Sequence, residues 1–285
     1  MANLKEIRNR IASVSSTMQI TSAMKMVSAA KLKKAQDAIT AMRPYSDKLT
    51  ELLQSLSASL DGDAGSKYAD DREVKKVLIV AITSNRGLCG AFNSNILKQC
   101  AALIDTYGDK QVDFIAIGKK ANDALGKKNN IIANHSDVFD ELTFENIAEI
   151  AEDLMRRFTE GEYDKIELVY NKFKNAATQI IMSEQFLPIV PIEGDTSGAA
   201  DYIFEPSKPE IVEQLIPKSL KTQLFKAVRD SFASEHGARM TAMHKATDNA
   251  TELRDQLKLT YNKARQAAIT NEILEIVGGA EALNN

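Results

Sequence analysis

Residues 218–277 read KSLKTQLFKAVRDSFASEHGARMTAMHKATDNATELRDQLKLTYNKARQAAITNEILEIV, with no proline and a single glycine, Gly237. As one helix they would extend for roughly 90 Å, because each residue adds about 1.5 Å. They contain no apolar run of membrane-spanning length. Their apolar residues form a stripe at spacings of mostly three and four, with gaps, which predicts packing against another helix. The stripe consists of Val228, Phe232, Ala242, Ala246, Ala250, Leu253, Leu257, Ala264, Ala267 and Leu274.

The N-terminal residues 2–43 supply the second helix, since they also contain neither glycine nor proline. Their apolar stripe shifts by about two residues midway, which predicts a stutter that changes the local winding of a coiled coil. We expect Pro44 to kink or briefly interrupt the helix. The stripe consists of Leu4, Ile7, Ile11, Val14 and Met18, then Ile20, Met24 and Val27, then Leu32, Ala35, Ile39 and Met42.

The middle of the chain changes from helical to strand periodicity. Continuous apolar runs of strand length are typical of strands buried on both faces, and their alternation with helical patterns indicates an open, mostly parallel α/β sheet. The stretch that ends at His135 is interpreted as a loop, and Ala199–Ile216 as a proline-punctuated connector. The predicted strands are residues 77–82, 112–117, 165–170 and 179–186, and the predicted helices between them include 94–107 and 144–158.

The simplest assembly is an antiparallel coiled coil of long N- and C-terminal helices with a central Rossmann-like α/β domain. The predicted segments are residues 1–60, 74–195 and 209–285. Because the C-terminal helix is longer, antiparallel pairing leaves an unpaired overhang, which falls at residues 266–283 if Pro44 marks the base of the coil. Gly278-Gly279 is expected to end the helix. Two surface helices of a larger bundle are the alternative.

Charge is unevenly placed along a chain whose net charge is −3. Residues 1–43 carry eight Lys or Arg against Glu6 and Asp37, so this segment has a net charge of +6. No aromatic stacking residues or reading motif accompany these cations, so a protein partner or a solvated face is favoured over nucleic acid. No signal peptide is read in this N-terminus, and two cysteines predict neither a disulfide framework nor a zinc site.

The stretches that could carry chemistry do not form a catalytic motif. The loop Gly87-Leu-Cys-Gly90 follows a strand but lacks GxGxxG spacing and a Walker lysine, so nucleotide binding there is disfavoured. Cys89 is interpreted as a buried apolar cysteine, and His236 and His244 lie eight residues apart, outside metal-sharing spacing. We expect no catalytic residue, no metal and no cofactor.

Five segments resemble the gamma subunits of F-type ATP synthases of the bacterial type. Together they span nearly the whole chain in the order that this family shows. They read IRNRI at residues 7–11, MQITSAMKMVSAAKL at 18–32, TSNRGLCGAFNSN at 83–95, ASEHGARMTAM at 233–243 and YNKARQAAITNEILEIVGG at 261–279.

The resemblance implies a rotor stalk that turns inside a ring of alpha and beta subunits and couples ion flow to ATP synthesis or hydrolysis. It implies contacts of the base with the epsilon subunit and the c-subunit ring, and a peripheral position on the cytoplasmic side of the bacterial inner membrane. The coupling and partner contacts that it implies fall on Met24, Lys25, Arg239, Gln266, Thr270 and Glu272.

Two departures from the family pattern accompany the resemblance. Asn85 stands where aspartate is common, and the cysteine-bearing insertion of the chloroplast type is absent. A Rossmann-like nucleotide-using enzyme and a passive coiled-coil scaffold remain the alternatives from other functional classes.

Overall fold

The structure is a computed structural model that describes residues 4–57, 66–69, 72–189 and 208–284. It contains two long helices and a sheet of five strands with shorter helices. The elements are α1 (Leu4–Ser57), α2 (Ser66–Ala69), β1 (Lys76–Ile82), α3 (Phe92–Tyr107), β2 (Gln111–Ile117), α4 (Lys119–Leu125), β3 (Ile131–Asn134), a 3-10 turn (Ser136–Phe139), α5 (Phe144–Thr159), β4 (Lys165–Phe173), β5 (Gln179–Leu187) and α6 (Lys208–Asn284).

The chain divides by packing into two compact units. The coil unit consists of residues 1–28 and 240–285, and the sheet unit consists of residues 29–239. Helices α1 and α6 each contribute to both units. The boundaries predicted for three successive segments stay predictions.

The sheet has the order β3-β2-β1-β4-β5. The first four strands are parallel, and β5 runs antiparallel to β4 at one edge. The residues of β1 alternate between two hydrophobic cores. Leu78, Val80 and Ile82 lie in the core formed with α5 and α6, and the residues between Val77 and Ile82 that alternate with them lie in the core formed with α3 and α4. The mostly parallel α/β sheet with strands buried on both faces is therefore confirmed.

The coil unit pairs α1 with α6 in antiparallel direction. Three contacts define the register: Arg8 Nη2 donates to Tyr261 Oη at 2.7 Å, Arg254 Nη1 lies 3.3 Å from Met18 Sδ, and Thr247 Oγ1 donates to Thr21 Oγ1 at 2.8 Å. As the residue number in one helix rises, that of its partner falls. The predicted antiparallel coil is thus present, with polar as well as apolar residues in its seam.

The seam of α1 keeps an unbroken alternation of four- and three-residue steps. Seven of the buried or half-buried residues of α1 in the coil unit follow these steps: Ile7, Ile11, Val14, Met18, Thr21, Lys25 and Ser28. Ile20 and Val27 are 59% and 58% exposed, so the predicted stutter is wrong. The apolar pattern predicted the wrong positions because polar residues continue the seam, whereas the aliphatic Ile20 and Val27 face solvent.

The seam of α6 in the coil unit likewise mixes residue types. Met243, Thr247, Ala250, Arg254, Leu257, Tyr261 and Ala264 occupy it at the same alternating steps. Leu253, Ala267 and Leu274 of the predicted stripe are exposed instead. A coiled coil tolerates such polar positions at some cost in stability, and they restrict which register is favourable.

Both long helices run through a proline. Helix α1 continues through Pro44 without interruption, and α6 begins at Lys208 and passes Pro217, so residues 208–216 are helix rather than connector. The rest of that connector lies outside the described residues. Leu220 and Leu224, just after Pro217, are buried in the sheet core, and this packing offsets the backbone hydrogen bond that proline removes.

Two further local predictions are corrected. The helix runs past Gly278-Gly279 to Asn284, and neither glycine has the positive φ of a helix-ending cap. Ile131–Asn134 forms the edge strand β3, so within residues 129–135, the stretch predicted as a loop, only Asn129, Asn130 and His135 lie outside helix and strand. Its two isoleucines are half-buried against the sheet cores.

Candidate functional site

Arg239 is the centre of a buried polar cluster in the sheet unit. Arg239 lies on α6 and is only 7% exposed. Nη1 donates to Glu235 Oε1 at 2.6 Å, and Nη2 donates to the carbonyl oxygens of Arg86 at 3.0 Å and Gly87 at 3.3 Å. One guanidinium therefore joins the long helix to the loop after β1.

Burial sets the protonation of the two titratable neighbours of Arg239. It raises the pKa of Glu235, although the positive charge of Arg239 acts in the opposite direction. For His236, burial and then the charges of Arg239 and Lys31 lower the pKa to about 3. The imidazole is therefore neutral near pH 7, and its ring packs edge-on against Phe232 with 4.5 Å between centroids.

The loop after β1 is held by side chains on several sides. Ser84 Oγ donates to the Arg86 carbonyl at 2.7 Å, and Asn93 Oδ1 accepts from the Ser84 amide at 3.0 Å. Cys89 is buried beside Phe92 and Ala238, and burial raises the pKa of its thiol. The predicted burial of Cys89 is confirmed, but its surroundings are not purely apolar, since its sulfur accepts from Asn93 Nδ2 at 3.2 Å. Arg239 occupies the side of the loop that carries the Arg86 and Gly87 carbonyls.

Asn85 uses both halves of its amide. Nδ2 donates to the Ser136 carbonyl at 2.7 Å, and Oδ1 accepts from the Lys119 amide at 2.9 Å. A carboxylate accepts hydrogen bonds but does not donate, so aspartate here would lose the bond to Ser136. Asn85 thus ties the loop to α4 and to the 3-10 turn.

Gly237 lies where α6 closely approaches the end of β4 and the connection from β4 to β5. A Cβ atom on this residue would lie 3.2 Å from Ala176 Cα and 3.4 Å from Phe173 Cε2, in the connection from β4 to β5. Nearby, Ser234 Oγ donates to the Asn171 carbonyl at 2.9 Å. The single glycine of the long proline-free run therefore marks where α6 packs directly on the strand connection.

The predicted contact residues lie in different surroundings. Met24 and Lys25 are half-buried on α1 in the coil unit, where the Met24 carbonyl accepts from Ser28 Oγ at 2.8 Å. Arg239 belongs to the sheet unit. Gln266, Thr270 and Glu272 are all exposed near the end of α6, and Thr270 Oγ1 donates to the Gln266 carbonyl at 2.9 Å.

The end of α6 forms a bare helix, which we call the tip and define as residues 266–280. All of its side chains are exposed, and among them no ion pair is formed. Five large aliphatic residues on it are about half exposed or more: Ile269, Ile273, Leu274, Ile276 and Val277. The predicted overhang is confirmed for these residues, because all of them are exposed.

Comparison with known proteins gives a consistent result. The family model described as ATP synthase matches residues 3–283. The ATP synthase gamma chain of Flavobacterium johnsoniae is 75% identical over 285 residues, which cover all of both chains.

The chain belongs to the ATP synthase gamma chain family.

Other gamma chains and a solved rotor extend this result. The gamma chain of Cytophaga hutchinsonii is 55% identical over 295 aligned residues that cover both chains completely. The rotor chain in the Euglena gracilis mitochondrial ATP synthase is 23% identical, with a TM-score of 0.67 over 93% of this chain and 98% of that one. This second likeness shows the fold: long terminal helices and a five-stranded sheet.

The resemblance to gamma subunits pointed to Arg239, but sequence reasoning did not identify the residues that surround it. Glu235 was not singled out because a single acidic residue has no motif, although its i, i+4 spacing from Arg239 was a usable signal. Among the described residues, no group of three or more His, Cys, Asp or Glu side chains could hold a metal ion.

Proposed function

We propose that this chain is the central rotor stalk of an F-type ATP synthase. Its coil unit turns inside the ring of alpha and beta subunits, and this rotation couples ion flow through the membrane ring to ATP synthesis or hydrolysis at the beta subunits. The observation that carries the proposal is full-length similarity to gamma chains, at 75% identity in one relative.

The bare tip fits this role physically. A single helix with five exposed aliphatic residues and no ion pair among its described side chains has an unfavourable surface in water. An apolar collar of surrounding subunits covers such a surface without fixed polar contacts. Side chains that lack directional bonds allow a helix to turn against its surroundings.

The remaining partners are the epsilon subunit and the c-subunit ring, which contact the base of the stalk. Within the described residues, no helix is long and apolar enough to span a membrane. The chain is part of the membrane-associated F1 complex and lies peripherally on the cytoplasmic side of the bacterial inner membrane. It is a non-catalytic subunit, and the catalytic sites belong to the beta subunits.

The contact residues divide into two groups in this proposal. Gln266, Thr270 and Glu272 present exposed polar groups on the tip and contact the alpha/beta ring directly. Met24 and Lys25 contact it from α1. Arg239 is buried by its own chain, so it acts on coupling by fixing the loop at Arg86 and Gly87.

The test is reconstitution of the full chain with purified alpha and beta subunits. We expect a stable complex with ATPase activity, and no nucleotide hydrolysis by the isolated chain. Rotation is then observed by attaching a probe to an exposed residue of the sheet unit. Hydrolysis by the isolated chain, or failure to enter the complex, would contradict the proposal and favour a nucleotide-using enzyme or a passive scaffold.

A further inference from the structure

Arg229 is a half-buried arginine of α6 that contacts the segment just before α5. Its Nη2 atom donates to the Leu142 carbonyl at 3.0 Å, and its guanidinium carbon lies 5.0 Å from the centroid of the Phe225 ring. Phe225 in turn packs edge-on against Phe144, with 5.5 Å between the ring centroids. The carbonyl and the aromatic ring therefore hold the guanidinium in one place.

No carboxylate of the described residues accompanies this guanidinium. Burial lowers the pKa of Arg229, and no acidic side chain counteracts that effect. A guanidinium has five N–H donors, of which the Leu142 carbonyl accepts from one. The remaining donors have no acceptor within the described part of the chain, whereas charged groups that are withdrawn from water are normally paired.

Lys221 shows the usual arrangement on the same helix. It also contacts α5, two turns before Arg229, and its Nζ atom forms an ion pair with Glu152 Oε1. Glu141 and Glu145 lie on either side of Leu142, but both are exposed and neither acts on the charge of Arg229. Of these two cations between α6 and α5, one is therefore neutralised by the chain itself and the other is not.

A second unpaired cation lies beside Arg229. Lys226 precedes it by three residues, so the two side chains are neighbours on the helix surface. Lys226 is half-buried and likewise forms no ion pair with the residues that the structure describes. Two cations that are partly withdrawn from water attract a doubly charged anion more strongly than a singly charged one.

We propose that Arg229 and Lys226 form a binding site for a free oxyanion of the phosphate class. The anion accepts two hydrogen bonds from the open edge of the guanidinium, in the geometry that arginine forms with phosphate, and Lys226 supplies the second charge. Because the Phe225 ring and the Leu142 carbonyl already hold Arg229, binding does not have to order its side chain. The site lies ten residues, or about 15 Å, from Arg239 along α6, and it goes beyond the stalk function.

The experiment measures the melting temperature of the full chain in phosphate and in chloride at equal ionic strength. Arg229→Gln removes the guanidinium and keeps a neutral amide, and Lys226→Gln removes the second charge. Lys221→Gln is the matched control, because it removes a cation of the same helix that is already paired. Phosphate stabilises folded proteins in general, so the comparison among the variants isolates the effect of the site.

We expect about 20 mM phosphate to raise the melting temperature of the unaltered chain by about 2–3 °C more than that of Arg229→Gln. This difference corresponds to a dissociation constant of about 5 mM. Lys226→Gln should keep less than about half of the difference. Lys221→Gln should melt at a lower temperature in chloride but keep the whole difference, because its side chain does not belong to the site.

Equal phosphate effects in all four chains would show a general salt effect and would overturn the site. Weaker binding of Arg229→Gln to the alpha/beta ring, with no phosphate effect in the unaltered chain, would overturn it in favour of a carboxylate of another subunit. The chain's own carboxylates are tested by Glu141→Gln and Glu145→Gln. A loss of stability in either variant that disappears when Arg229 is already replaced would pair that carboxylate with Arg229 and leave no site for a free anion.

Discussion

Two stretches of the same helix, α6, have opposite surroundings. From Ala233 to Arg239 every residue is buried, and the polar side chains of Ser234, Glu235 and Arg239 bond to other parts of the sheet unit. In the tip every residue is exposed, although its sequence is rich in aliphatic residues. Along one helix, polar side chains are thus buried in one stretch and aliphatic side chains are exposed in another. Contacts within the chain cover the first stretch but leave the tip exposed, as expected for a helix end that we propose is covered by other subunits.

The largest effect on stability is expected from Arg239→Ala. The substitution leaves the Glu235 carboxylate buried without its cation and two loop carbonyls without a donor. Breaking a buried pair in this way costs about 3–5 kcal/mol of the free energy of unfolding. Urea denaturation followed by circular dichroism measures it.

Arg254→Ala is the matched control, because Arg254 contacts Met18 and Asp255 in a more exposed position. Its loss should cost at most about 1 kcal/mol, as for exposed ion pairs. Similar losses for the two arginines would show that the cluster around Arg239 contributes no special stability.

Gly237→Val should have the next largest effect. The new side chain would meet Ala176 and Phe173 at the closest point between α6 and the strand connection. Overpacking of this kind costs about 1–3 kcal/mol. Gly278→Val on the tip is the control, since nothing lies within 4 Å of a Cβ atom there. Unchanged stability of Gly237→Val would mean that the connection from β4 to β5 moves freely away from the helix.

A smaller effect is expected from pH through His236. Its folded-state pKa of about 3 lies below the ordinary value of 6.5, so the unfolded chain binds the proton more readily between these values. Stability is therefore retained above pH 6.5 and lost as pH falls toward 3. Between pH 7 and pH 6 the loss from this residue is about 0.7 kcal/mol.

His236→Gln should flatten this part of the pH profile, while His244→Gln at an exposed site should leave it unchanged. The raised pKa of Glu235 acts in the opposite direction, since its protonation favours the folded state as pH falls. The measurement is therefore the difference between the variant and unaltered profiles. An identical slope in both would contradict a buried neutral imidazole.

The smallest effect on folding is expected from truncation after Asn271. The removed residues make no described side-chain contact with the rest of the chain, so the free energy of unfolding should change by less than about 0.5 kcal/mol. The same truncation should weaken retention of the chain in the alpha/beta complex more than it reduces ATPase rate. Subunit retention on gel filtration and ATPase assays measure the two effects. Full retention of the truncated chain together with loss of ATPase activity would contradict this expectation and would mean that the tip takes part in the catalytic cycle.

The regular parts of the fold could be predicted from residue patterns because burial there follows apolarity. The strand at Lys76–Ile82 is apolar on both faces and is buried on both faces. The overhang followed from helix lengths alone. The two long helices were predicted because proline is absent over many turns and Gly237 is the single glycine in the two runs.

The errors arose where contacts offset a local preference or where polar residues occupy buried positions. Thr21, Lys25 and Ser28 continue the seam, and a pattern of apolar residues does not include them. Pro217 remains in a helix because Leu220 and Leu224 pack into the sheet core. The cluster at Arg239 depends on the loop at Arg86, which lies 153 residues earlier in the chain. Sequence spacing along one helix does not contain that information.

Because α6 is one continuous helix from the seam into the tip, the number of residues between them sets the direction in which the tip side chains point. Each residue inserted between Tyr261 and Gln266 would turn every tip side chain by about 100° around the axis and advance it by about 1.5 Å. One inserted residue therefore aims the aliphatic groups at a different neighbour, with all of them still present. Seven inserted residues return the same face to within about 20°. The timing of contacts around the ring is in this sense set by the number of residues that separate the seam from the tip.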